Sequence, residues 1–293
     1  MFQDLWEEIN SKETFEKGCL SVIEKYVPDV KIYTPNNDGV DHINIYSRGK
    51  TELGRLLSNF AYSIFEHPRF GKFYSVEAYW YYLKTGCQYY HELSRLYGAK
   101  AKATGKKYEV VGCPDFDFEI ELALWCKVMQ NPHVKEQLKA STLALTHYYY
   151  YGSPENPAIR RVKDEKLQMV FEKIRKYLNR ARSIKKTLVI IDSTFTDYKF
   201  MKDPSMGGMR FHTRAAGEDV TYVRAGPAKF SDEPCFVLET GETFIASATR
   251  QEIFELSLSH NKVIYIGGVR GQDHEFIKQS IEIVQEVTTV IRS

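Results

Sequence analysis

Glu77, Trp80, Tyr81 and Lys84 recur at i, i+3, i+4 and i+7 in the stretch Ser75-Val76-Glu77-Ala78-Tyr79-Trp80-Tyr81-Tyr82-Leu83-Lys84. On a helix this spacing puts a carboxylate, two large rings and an ammonium on one face. Such a face could hold a flat base, a ribose and a phosphate in a row. Breaking a glycosidic C–N bond builds positive charge on the sugar, which a fixed carboxylate beside it stabilises. The same carboxylate can take a proton from the attacking water. Upstream, Leu57-Ser58-Asn59-Phe60 reads as a tight turn whose backbone and Asn59 amide suit ribose hydroxyls, with Phe60 beside the base. Arg48 and Lys50 are candidates for a diphosphate.

Each residue also has an ordinary role. Trp80 and Tyr81 fit a core as well as a ligand stack. Glu77 near a helix start complements the helix dipole, and Lys84 fits a solvated lysine whose stem lies along the surface. Ser58-Asn59 fits a plain turn. The joint pattern favours chemistry at Glu77.

Five features, in order, resemble the NADAR family: the strand Ile43-Asn44-Ile45-Tyr46-Ser47; the turn at 57–60; Ser75-Val76-Glu77 with Lys84; the segment Ala99-Lys100-Ala101-Lys102-Ala103-Thr104-Gly105; and the helix Trp125-Cys126-Lys127-Val128-Met129-Gln130-Asn131-Pro132. A closing helix at 167–178 completes the match, which covers about residues 43–182. The resemblance implies an N-glycosidase of ribosyl or ADP-ribosyl compounds. It implies Glu77 for water activation and charge stabilisation, and Lys84 for holding a phosphate or orienting Glu77. Ala78 stands where family members often carry His, and the late Asp-x-x-Trp-Gly signature is absent. Thr146-His147-Tyr148-Tyr149-Tyr150-Tyr151-Gly152, followed by Arg160, Arg161 and Asp164, takes its place. His147 and Asp164 are thus the candidates for the second half of the site, with a packed strand residue the alternative for His147.

The elements that must position these residues follow from periodicity. Residues 1–27 read as a helix ending at Val27-Pro28, Ile43–Tyr46 as a strand, and Arg48–Arg55 as a polar loop. Helices are expected over 77–97 with a break near Gly86, and over 118–128, 134–145 and 164–182, while 99–107 reads as a short basic turn or helix. Thr187-Leu188-Val189-Ile190-Ile191-Asp192 is an apolar, β-branched run typical of a buried strand. Strands at 221–224, 235–239, 243–246 and 263–266 and helices at 249–258 and 273–291 complete the pattern. The expected fold class is α+β: a helical extension (1–42), a mainly helical NADAR-like domain with a short strand (43–182) and a smaller α/β domain (183–293).

Composition fits a globular protein of two domains: 293 residues, 43% hydrophobic, net charge +2, with 20 Tyr and 17 Phe. The five dispersed cysteines (Cys19, Cys87, Cys113, Cys126, Cys235) form no CxxC pair, so no zinc knuckle is indicated. No metal or other cofactor is expected. The N-terminus lacks signal-peptide character and no apolar run reaches membrane-span length, so a soluble cytoplasmic protein is the expectation.

Two further features are weaker. Gly267-Gly268-Val269-Arg270-Gly271 follows a strand and could bind phosphate, or form a plain turn. Asp192 ends the first strand of its domain, and Pro204–Arg210 is a candidate lid. The basic run from Arg160 to Lys186 reads as a solvated helix face, with a nucleic-acid groove as the alternative. The functional expectation is cleavage of an ADP-ribosyl or ribosyl-phosphate adduct, favouring ADP-ribose on a nucleobase, within DNA or RNA. The alternatives are a non-catalytic ADP-ribose or NAD-like ligand-binding module and a nucleic-acid-interacting protein.

Overall fold

The computed structural model describes residues 33–152, 157–162, 164–180, 186–191, 219–225, 235–237, 243–260, 262–266 and 279. The expected helix at 1–27 and all of that at 273–291 but residue 279 lie outside these residues, as do Asp192, the 204–210 loop and the 267–271 glycine cluster. Helices and small sheets coexist in an α+β fold. The described chain packs as two compact units. One draws on 33–63, Tyr74–Val111 and Pro132–Arg175, the other on Ile64–Phe73, Gly112–Asn131 and residues from Lys176 onward.

In the first unit, strand β1 (His42–Asn44) lies parallel to β4 (Ala144–Thr146). Helix α1 (Glu52–Leu57) follows β1 and corrects the polar loop expected over 48–55. Thr51 caps it by accepting the Gly54 N–H at 3.1 Å, and the polar Thr51-Glu52 start had masked a helix only six residues long. Helix α2 (Val76–Lys84) is capped by Ser75, whose Oγ accepts the Ala78 N–H and donates to the Leu96 carbonyl. Val76, Tyr79 and Leu83 on its inner face are fully buried. Side chains of this size each contribute about 1.5–3 kcal/mol on burial. The expected break falls at Gly86, whose φ of +69° suits glycine.

Helix α3 (Tyr90–Leu93) is a single turn, and α4 (Gly98–Gly105) packs against α2. A Cβ on Gly105 would sit 2.1 Å from Tyr81 Cγ, so glycine is required for this approach. Helix α5 (Phe116–Met129) belongs to the second unit and α6 (Pro132–Ala140) to the first. The helix expected to run on to residue 145 stops at Ala140, because Ala144–Thr146 is taken by the pairing with β1. Two antiparallel hairpins were not anticipated: β2 (Phe65–His67) with β3 (Gly71–Phe73), and β5 (Tyr148–Tyr151) with β6 (Ala158–Arg161). Helix α7 spans Lys166–Asn179.

The second unit holds a five-stranded sheet of order β11-β7-β8-β10-β9, from β7 (Lys186–Ile191), β8 (Asp219–Ala225), β9 (Cys235–Val237), β10 (Thr243–Ala248) and β11 (Lys262–Ile266). All pairs are parallel except β9 with β10. Leu188, Val189 and Ile190 are fully buried, as a parallel strand covered on both faces requires. Helix α8 (Arg250–Leu258) opens with a capping box between Thr249 and Glu252. Trp125 of α5 packs edge-on to Phe254 of α8 at 5.8 Å. The unit thus takes in the 65–73 hairpin and α5 from well before residue 183. No described helix is long and apolar enough to cross a membrane.

Candidate functional site

The 57–60 turn and the start of α2 meet directly. Ser58 ends α1, its Oγ accepting the Phe60 N–H and its carbonyl the Ala61 N–H. The turn this makes presents the Asn59 carbonyl to the Glu77 N–H at 2.9 Å. That amide is one of the first-turn donors a helix cannot satisfy itself, so the turn completes the helix start. The Asn59 Oδ1 is buried, and no donor among the described residues reaches it.

Glu77 is only 9% exposed, and its carboxylate has neither a hydrogen bond nor an ion pair among the described residues. Burial pushes its pKa up to about 7, and the Lys102 ammonium acts in the opposite direction. Tyr81, one turn along, and Tyr149 of β5 both feel the Glu77 charge, which together with burial raises their phenol pKa values. The cation acting on Glu77 is therefore Lys102 rather than Lys84. Lys102 lies on α4, with its Nζ 5.6 Å from the Phe60 ring centre. Lys84 sets its Nζ 4.1 Å over the Trp80 ring instead. Trp80 in turn stands edge-on to Tyr81, whose ring rests against Gly105.

The tyrosine run is fixed by the entry strand. The Asn44 side chain donates to the Tyr148 carbonyl and accepts the Tyr148 N–H, both at 3.1 Å. His42 bonds the Tyr148 hydroxyl through Nε2 at 2.7 Å and Asp41 through Nδ1 at 2.5 Å. This clamp sets His147 and Tyr149 in place, their rings edge-on at 5.2 Å. His147 is half-buried with no partner for Nδ1, and burial lowers its pKa to about 4 despite the Asp164 charge. It is neutral at pH 7, so it can donate or accept a hydrogen bond but does not stand ready as an imidazolium acid. Asp164 is exposed and accepts the Lys166 N–H at 2.9 Å at the start of α7.

Arg48 and Lys50 are exposed in the loop after β1, and neither pairs with Glu77. The Lys50 Nζ donates to the Asn36 carbonyl, and the Arg48 carbonyl accepts the Tyr150 hydroxyl. The structure thus assembles Glu77, Asn59, Phe60 and Tyr81 with Lys102 and Tyr149. Sequence spacing along one helix could not reveal the last two, which arrive from other elements. The one hint for Lys102 was its position among the small residues of 99–105, which let α4 approach α2.

Further along, Gln130 clamps β2, accepting the Glu66 N–H at 2.7 Å and donating to the Glu66 carbonyl at 2.9 Å. Asn131 donates to the Ile64 carbonyl. These two residues of the 125–132 segment therefore hold backbone. Among the described residues, no group of three or more His, Cys, Asp or Glu side chains could hold a metal ion. No protein-family model, no curated protein and no solved structure matches the chain.

Proposed function

We propose that this chain is a hydrolase of the NADAR kind, cleaving the N-glycosidic bond of an ADP-ribosyl or ribosyl-phosphate adduct, with ADP-ribose on a nucleobase as the favoured substrate. The observation that carries the reading is the buried Glu77 carboxylate, unpaired among the described residues and pushed by burial to a pKa of about 7, on a helix whose Glu77 N–H is taken by Asn59, a residue with an unpartnered amide oxygen of its own. A protein does not keep such a group for stability, since burying an unpaired carboxylate is costly. In the reaction, water adds to the anomeric carbon as the C–N bond breaks and its electron pair leaves with the base. Glu77 takes the proton from water and its charge faces the developing oxocarbenium. The protonated carboxyl then returns that proton to the departing base or to solvent.

Asn59 Oδ1 accepts a ribose hydroxyl, Lys102 faces a phosphate, and Phe60 and Tyr81 flank the base. Tyr149 and the neutral His147 are hydrogen-bonding groups on the far side. Incubation with ADP-ribosylated guanosine, ADP-ribosylated DNA and NAD, with products read by mass spectrometry, tests the proposal. Release of ADP-ribose together with guanosine, unmodified DNA or nicotinamide, respectively, is expected, and its absence from all three overturns the proposal.

One observation favours a second reading, a non-catalytic ADP-ribose-binding module. His147 is neutral, and Lys102 is the one charged group acting on Glu77, so no second acid accompanies it among the described residues. Tight ADP-ribose binding by calorimetry with no product would select this reading.

A further inference from the structure

The three segments that build the Glu77 site each also contribute a tyrosine to one exposed cluster. Tyr62 follows the Asn59 turn, Tyr74 precedes the Ser75 cap of α2, and Tyr97 precedes α4. The Tyr62 ring stands edge-on to Tyr74 at 5.7 Å and to Tyr97 at 5.2 Å. Backbone bonds fix the three together: the Ser63 N–H donates to the Tyr74 carbonyl and the Tyr74 N–H to the Ser94 carbonyl. Yet Tyr62 is 55% and Tyr97 49% exposed. Isolated exposed rings are ordinary on a protein surface, whereas contiguous ones mark contact sites.

The charge around the cluster selects the occupant. Residues 95–107 carry Arg95, Lys100, Lys102, Lys106 and Lys107, all exposed, and no Asp or Glu. An apolar peptide would favour an interface core depleted of such charges. Rings flanked by cations suit bases that stack and phosphates that pair with lysine. The basic run at 160–186 is a poorer candidate. Arg175 is engaged by Glu172 and the Leu143 carbonyl, and Arg180 by the Leu258 carbonyl and the Tyr177 ring.

We infer that Tyr62, Tyr74 and Tyr97, with Arg95 and Lys100, form a binding platform for a single-stranded polynucleotide, independent of its sequence. The inference builds on the reading of the Glu77 site as one for a base-linked adduct, to which the platform delivers the strand. Its test needs no turnover, so the two fail separately.

The experiment measures fluorescence anisotropy of unmodified thymidine and uridine oligomers about 12 nucleotides long, within the usual site size, against the full chain. Binding that weakens with salt is expected, and the two oligomers distinguish a DNA strand from an RNA strand as the ligand. Tyr62→Ala and Tyr97→Ala should each raise Kd roughly 5- to 150-fold, the range for losing one stacked base. Tyr62→Phe should retain binding, because the ring does the stacking. Lys100→Gln should reduce the salt slope by about 0.7, one phosphate's share on a single strand. Both alanine changes lie on exposed rings, and circular dichroism confirms the fold. Absence of binding to either oligomer at low salt overturns the inference. So does equal affinity for a duplex, or a Tyr62→Ala/Tyr97→Ala double variant that binds like the parent. Strand binding without hydrolysis of ADP-ribosylated substrates would leave the platform standing and remove the hydrolase.

Discussion

Among the described residues two glutamates are buried, and their surroundings are opposites. Glu119, on α5 of the second unit, is 0% exposed, with His67 Nε2 at 3.2 Å from one carboxylate oxygen and the Arg69 guanidinium at 3.6 Å from the other. The Arg69 N–H donates to His67 Nδ1, which leaves the ring proton on Nε2, facing the carboxylate. Glu119 thereby ties α5 to the hairpin that carries His67 and Arg69. Glu77, in the first unit, has no such partners, and its pKa rises to about 7. A buried carboxylate that serves structure is paired; one held unpaired at its own cost points to an absent ligand.

The comparison is broken most severely by exchanging each glutamate for glutamine. Glu119→Gln removes the charge facing Arg69 and the carboxylate facing the His67 ring N–H, and should lower stability by about 1–3 kcal/mol, read by chemical denaturation. Glu77→Gln should do the reverse. Its folded pKa is raised above the unfolded value, so the parent loses stability as pH climbs from 4.5 through 7. The variant's gain over the parent should therefore be absent below pH 4.5, grow through that window and level off above it, at on the order of 2–4 kcal/mol. A constant difference across pH would show that Glu77 does not titrate there.

Gly105→Ala tests how α4 is seated. The added methyl meets the Tyr81 ring, and overpacking of this kind costs about 1–3 kcal/mol. Ligand affinity should fall beyond what global unfolding explains, because Lys102 shifts with its helix. Ser75→Ala should cost about 0.5–2 kcal/mol through the lost helix cap. Smallest is Lys102→Gln, which removes the one charge that lowers the Glu77 pKa. The midpoint of Glu77 in a carboxyl NMR titration should move upward, while Lys84→Gln should leave it in place.

Much of this architecture could be read from local pattern. Ser75 ahead of an apolar-periodic run marked the start of α2, Gly86 marked its end, and the β-branched 187–191 run marked a covered strand. The helix read over 249–258 is α8 (Arg250–Leu258). The missed elements are short and held by distant partners. Helix α1 has one cap and six residues, and the strands of the 65–73 hairpin have three residues each, too few to show alternation. The β5 strand takes its place from Asn44 and His42, about a hundred residues upstream. For the same reason the spacing on α2 singled out Glu77 but paired it with Lys84. Which cation approaches a carboxylate depends on how α4 crosses α2, and that is a matter of Gly105 and Tyr81.

In the proposed reaction the Glu77 carboxylate performs the cleavage. The most direct measurement is the rate of guanosine release from ADP-ribosylated guanosine by the parent and by Glu77→Gln, followed across pH 5–8 by mass spectrometry. The parental rate should rise to a plateau above about pH 7, and the variant should be about 10²–10⁴-fold slower while still binding ADP-ribose. A glutamine variant that turns over at the parental rate would contradict that role.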